Sequence, residues 1–343
     1  MPLRTLLALA ALGLLGGCYV LQAAHGQLDL NARRVPVEQL LAAPDTPPPL
    51  RAQLELAGRI RTFASRELAL PDNGSYRSYA DVGRPFVVWN VFAAPEFAVE
   101  PRIWCFPVAG CVAYRGYFSE QRARDYALGL EARGYDVAVT GVPAYSTLGH
   151  FADPLLSTML QWDETELAAL VFHELAHQLL YVKGDTAFNE AFASVVEREG
   201  VRRWLDAAGR PHALAAYLER EARYREVAAL VAAGRARLRA LYGGTLPPAE
   251  LRAAKAEEFA RLRAEYAARR ATLAGYGWLF EAPPNNARLL AVATYEDCVP
   301  ELERQLATAG RDLPRFYAAA RALAELASAA RHAAACRDAP AGP

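Results

Sequence analysis

Lysine is almost missing from this chain. Of its 38 basic residues only Lys183 and Lys255 are lysines, and the arginines are scattered along Ala-, Leu- and Glu-rich stretches rather than gathered in a block. The 38 acidic residues bring the formal net charge to zero. A chain with neither a basic block nor an excess of positive charge has no footprint for a polyanion, so no nucleic-acid partner is expected. The apolar run at the N-terminus, residues 6–15, is too short to cross a bilayer. At 343 residues with ordinary apolar content, the chain can still bury a substantial core.

What the N-terminus does have is the form of a secretory signal: Arg4, then the apolar run, then small residues. Leu15-Gly16-Gly17-Cys18 resembles a bacterial lipobox. On that reading residues 1–17 are a signal peptide and Cys18 carries lipid, which makes the protein exported, anchored in the bacterial envelope and facing the periplasm. Cleavage near Ala23-Ala24, which would discard Cys18, is the plainer alternative. Lipid on Cys18 leaves four of the five cysteines for an oxidising compartment. Cys105 and Cys111 flank a tight turn, and Cys298 and Cys336 lie near the C-terminus, so these are the expected pairs. A thiolate metal site is the competing reading, although the spacings match no common zinc pattern.

The coarse pattern is helical at both ends and strand-like in the middle. Residues 28–42 read as a short helix, and residues 50–68 as a second with Leu54, Ala57, Ile60 and Ala64 on one face. Between residues 76 and 149 the texture turns aromatic and β-branched, predicting strands at 86–92 and 135–139 and a hairpin from 103–105 and 111–117. Residues 119–133 read as a helix with Ser119 as N-cap and Gly134 as its stop. Residues 141–149 read either as an edge strand able to hold an extended peptide or as a connecting loop. Beyond Pro211 two long charged segments, 212–241 and 248–273, predict a projecting α-hairpin: a lid, a spacer or a docking arm for a protein partner. A polar loop at 275–288 and terminal helices follow.

Histidine is sparse, at six, yet two fall four residues apart in His173-Glu174-Leu175-Ala176-His177. The helix around them opens with Asp163 as N-cap and Glu166 three residues on, and is expected to close at Lys183-Gly184. Four residues make about one helical turn, so both imidazoles share a face and can share one metal ion. Catalytic zinc takes three protein ligands and leaves one position open. Glu174, beside the first ligand, is placed to accept the proton of a zinc-activated water and pass it to a leaving amine. For the third ligand, a metzincin needs glycine at 180 and histidine at 183, where this chain has Leu180 and Lys183. Glu190 on the next helix is the expected ligand, with Asp185 and Glu197 as alternatives. For a hydroxyl that shares the oxyanion's charge, Tyr145 is the first choice, then Tyr114 and Tyr276; His150 reads as structural. The plain alternative to all of this is a helix with two chance histidines.

Phe188-Asn189-Glu190-Ala191-Phe192-Ala193 is similar to the Asn-Glu-x-x-Ala helix that supplies the third zinc ligand in gluzincin peptidases. Nearly the whole chain resembles the bacterial predicted-aminopeptidase lipoprotein family, through Arg77-Ser78-Tyr79-Ala80-Asp81, residues 104–111, residues 142–149, the histidine motif and Asn189-Glu190. The Gly-x-Met-Glu-Asn block that binds the substrate amine in M1 aminopeptidases is absent. The resemblance implies one Zn2+ per chain and a peptide substrate. The expected fold is α+β, predominantly helical, with a small zincin-like mixed sheet, an active-site helix pair and the hairpin. Its expected segments are 18–70, a core at 71–210, the hairpin at 211–274 and a helical region at 275–343. The expected activity is that of an aminopeptidase, with an endopeptidase of the same mechanism or a non-catalytic zinc-braced scaffold as alternatives.

Overall fold

The structure, a computed structural model, describes residues 19–336 except 107–109, 145, 281–282, 284 and 297. Helix α1 (residues 19–32) leads into strand β1 (Val35–Pro36), α2 (Val37–Ala42) and α3 (Pro48–Arg66). The single helix expected over 28–42 is broken. Val35 and Pro36 pair instead with Tyr79 and Ser78 of β2 (Ser78–Ala80), a partner some forty residues away. Pro48 starts α3 in its first turn, where a missing N–H costs nothing, and Leu54, Ala57, Ile60 and Ala64 are all buried.

Strand β3 (Val88–Pro95) is buried at seven of its eight positions. It is the central strand of an antiparallel sheet, between β6 (Tyr114–Tyr117) and β7 (Tyr135–Val142). Alternate side chains point to opposite faces. Trp89, Val91 and Ala93 pack on α4 (Glu120–Glu131), while Phe92 and Ala94 face Ala287 and Leu290 of a later helix. Ser119 caps α4 and Gly134 ends its turn at φ +80°. The expected hairpin is shorter than its sequence pattern. It consists of β4 (Trp104–Phe106) and β5 (Gly110–Val112), joined by the Cys105–Cys111 disulfide, while β6 departs to pair with β3. Strand β8 (Leu155–Leu156) adds in parallel to β2, making a second, mixed sheet.

Helices α5 (Glu164–Leu179) and α6 (Thr186–Ala207) form an antiparallel pair at the centre of the largest core cluster. They approach closely because Gly200 lacks a side chain: a Cβ there would lie 2.7 Å from the Phe172 ring. Helix α5 ends four residues before the expected Lys183. Residues 180–182 are drawn out by Asn189 of α6, whose Oδ1 accepts from Val182 N at 2.7 Å and whose Nδ2 donates to Val182 O at 2.8 Å. Lys183 and Gly184, at φ +82°, instead make the turn into α6.

The α-hairpin of α7 (Pro211–Tyr242) and α8 (Pro248–Ala267) does not stand free. Val227, Leu230, Val231 and Phe259 share an interior with Val99, Leu279 and Phe280. Arg239, Arg252 and Lys255 tie its tip to Glu100, Glu96 and Asp136. The polar loop that follows α9 (Gly277–Phe280) serves the same anchorage: Asn286, at the start of α10 (Asn286–Glu296), accepts from Tyr242 Oη and donates to Pro95 O and Glu96 O.

Three helices close the chain: α11 (Val299–Thr308), α12 (Leu313–Ala324) and α13 (Ser328–Ala335). The Cys298–Cys336 disulfide fixes the end of α13. From that helix Arg331 Nε and His332 Nε2 reach Asp185 at 2.7 Å and 2.9 Å. Asp185 also caps α6 through Phe188 N. Burial alone would raise the Asp185 carboxyl, but hydrogen bonds from His332 and Arg331 hold it below its ordinary value.

A depressed carboxylate stabilises the fold above its unfolded pKa, and that contribution is lost as pH falls through the lower folded value. Asp185→Asn should therefore cost about 3–5 kcal/mol at neutral pH, by leaving Arg331 buried without its counter-charge. The deficit should shrink in urea unfolding curves taken progressively below about pH 4.

Candidate active site

Asp163 and Glu166 form a reciprocal capping box at the start of α5, each side chain bonded to the other's backbone N–H, so the helix is rigid where it matters. One turn apart on it, His173 Nε2 and His177 Nε2 are 3.2 Å from each other. From α6, Glu190 Oε2 lies 3.3 Å from the first and 3.6 Å from the second. Three donors on a tetrahedral zinc with bonds of about 2.0–2.1 Å are separated by about 3.3 Å, so the triangle has the dimensions of one face of such a site. The donor chemistry fits as well. Glu190 is buried, and its ion-pair partners are these two imidazoles, so with neutral histidines the cluster lacks a cation.

Electrostatics describe the same cluster. Burial favours neutral imidazole at His173, but hydrogen bonds and charge from Glu190 and Glu197 outweigh it and hold His173 well above its ordinary value. Burial would raise Glu190, yet His177 and His173 bring it down to about 2. Two carboxylates thus favour positive charge at His173. His177 Nδ1 is buried and has no hydrogen-bond partner among the described residues.

Glu197, offered by the sequence as an alternative ligand, is one helical shell further out: its Oε2 is 2.9 Å from His173 Nδ1. That bond fixes which His173 nitrogen faces the cluster. Glu197→Gln should weaken zinc binding about 10- to 100-fold while leaving the metal-to-protein ratio at saturating zinc unchanged, a result readable by competition with a chromogenic chelator. Asp185, the other alternative, is occupied by Arg331 and His332 and does not join the cluster.

Glu174 is buried on the same helix, and among the described residues nothing donates a hydrogen bond to it. Burial raises its carboxyl above the ordinary value, Glu190 and Asp153 add to the shift, and the two histidines oppose it. A buried carboxylate without a donor is an acceptor in waiting.

Tyr145 lies outside the described residues, as does Cys18. Tyr114, on β6, feels Glu190 and Glu174 beyond the burial that raises its hydroxyl. Tyr276 is elsewhere, its ring 6.2 Å from that of Tyr224 on the α-hairpin. His150 is exposed in the loop before β8. Two tyrosines the sequence reading missed are close by. The Tyr181 ring centroid is 6.4 Å from that of His177, a neighbour the four-residue spacing could have suggested. Tyr76 is buried, its hydroxyl without a partner among the described residues and raised by burial and then by Glu174 and Asp153; no local pattern announces it.

The edge-strand reading of 141–149 holds only to Val142, the end of β7, which is itself an edge of its sheet. The described residues from 143 to 149 form no strand. They fold back onto α5, where Thr147 N and Gln178 Nε2 both donate to Asp153 Oδ2. Asp153 is buried, and the donors to its carboxylate among the described residues are neutral. Burial raises its carboxyl despite those bonds.

The chain matches a family model described as "Putative aminopeptidase" over residues 18–335. No curated protein and no solved structure matches it.

Proposed function

The chain belongs to this aminopeptidase family, and from that premise we propose that it is a zinc-dependent peptidase that removes N-terminal residues from peptides. The observation that carries the reading is the triangle of His173, His177 and Glu190 with Glu174 on the adjoining helical position. Those three residues would hold the ion. When bound, zinc supplies Lewis-acid chemistry, acidifying water and polarising a carbonyl oxygen. Glu174 accepts the proton of the attacking water and returns it to the departing amine, a task suited to a carboxyl raised by burial. Of the sequence candidates among the described residues, Tyr114 is the one whose hydroxyl feels Glu190 and Glu174, and it is the proposed donor to the oxyanion. Export and a lipid anchor at Cys18 complete the reading.

An aminopeptidase also needs an anion for the substrate's α-ammonium. Asp153 meets the description: a buried carboxylate in no ion pair among the described residues, hydrogen-bonded to Gln178 one turn beyond Glu174. The wild-type enzyme is expected to trim free-amine peptides from a mixed library and to spare their N-acetylated versions. Asp153→Asn should raise KM for the free-amine peptides about tenfold or more, the size of a lost hydrogen bond to a charge. Internal cuts in acetylated peptides would make it an endopeptidase. An absence of any cut under zinc would favour the zinc-braced scaffold.

A further inference from the structure

We infer that the outward face of α1 lies flat on a lipid bilayer. The helix is docked on one side and apolar on the other. On one side Gln22, Gly26 and Leu30, a turn apart, are buried. Gln22 Oε1 accepts from Phe118 N and its Nε2 donates to Gly116 O. Gly26 meets the Phe118 ring so closely that a Cβ would sit 2.2 Å from it. Leu30 enters the main core. At 100° per residue, Leu21, Ala24 and Leu28 project from the other side, with Val20 beside them. Val20, Leu21 and Leu28 are 56%, 69% and 66% exposed.

A surface helix with one docked face is ordinarily polar on the other. Here Gln27, Asp29 and His25 fall on the flanks, and the outermost stripe is leucine, valine and alanine until Asn31 in the last turn. The sequence indicates what covers it. The apolar run of residues 6–15 and Cys18 immediately precede the first residue of α1. Any attachment to a membrane made by that stretch, through its apolar residues or through lipid on Cys18, holds the first turn of α1 at the bilayer surface. At the far end of the helix Arg33 is paired with Asp29 at 2.9 Å, which leaves that border without excess charge. An exposed apolar stripe opposite a docked face is the pattern of a helix bedded in the interface plane. The inference does not depend on the metal chemistry.

The test uses the full chain, incorporated into vesicles of phosphatidylethanolamine and phosphatidylglycerol. A polarity-sensitive fluorophore is attached in turn through Leu21→Cys, Leu28→Cys and, on the exposed surface of α7, Leu218→Cys. Positions 21 and 28 should both be quenched by spin-labelled lipid and shielded from aqueous iodide, with position 218 showing the reverse. A helix standing upright would carry position 28 about 10 Å further from the bilayer than position 21 and leave it open to iodide, which would overturn the inference. So would failure of the chain to associate with the vesicles. Shielding of both positions from lipid quencher and iodide alike would mean that a protein surface or a second copy covers the stripe, and would also overturn it.

Discussion

Glu174→Gln should lower kcat by about 10²- to 10⁴-fold and leave the zinc content of the protein unchanged. The amide keeps the shape of the carboxyl but cannot accept a proton. Because Glu174 receives no hydrogen bond from the described residues, the substitution breaks no bond among them. Its effect on stability has the opposite sign to its effect on rate. A carboxyl raised by burial is held in the folded state at a cost in its ionised form, and that cost is present above its unfolded pKa. Glu174→Gln removes it, so the metal-free variant should melt at the same temperature as the wild type or higher at neutral pH. A variant that lost turnover and also melted lower would place Glu174 in the framework rather than in the chemistry.

Glu190→Gln should fail differently. In place of a carboxylate between two imidazoles it leaves a neutral amide, a poor zinc ligand, and the cluster loses the charge that favours a dication. Zinc affinity should fall by more than about 100-fold, beyond the range of a change confined to an outer residue such as Glu197. Activity should fall with zinc occupancy and return in part at high zinc. Isothermal titration of both variants separates the roles: Glu174→Gln binds zinc as the wild type does, and Glu190→Gln does not.

The local features of the fold were legible wherever a short pattern determines structure. The Asp163–Glu166 capping box, the Ser119 and Gly134 boundaries of α4 and the apolar face of α3 each depend on residues a turn or two apart. The predominantly helical α+β organisation followed from such patterns. What escaped depends on partners distant in sequence. α5 stops at Leu179 because Asn189 of the next helix claims Val182, and the helix expected over 28–42 breaks because Tyr79 offers β1 a strand to pair with. Asp185 could not be separated from the ligand candidates without its partners on α13, 146 and 147 positions away. Tyr76 adjoins Glu174 through a fold of the chain that no periodicity encodes. The shape of the candidate site was readable from the His173–His177 spacing, whereas its surroundings were not.

On the proposed reading, one zinc ion held by His173, His177 and Glu190 makes Glu174 a working base. Titrating zinc into metal-free protein while following release of N-terminal residues from a free-amine peptide tests it most directly. Hydrolysis should be absent at the start, rise in proportion to added zinc, and level off at one equivalent per chain. Full turnover in the metal-free protein, or zinc bound to one equivalent with no hydrolysis of any peptide offered, would contradict it.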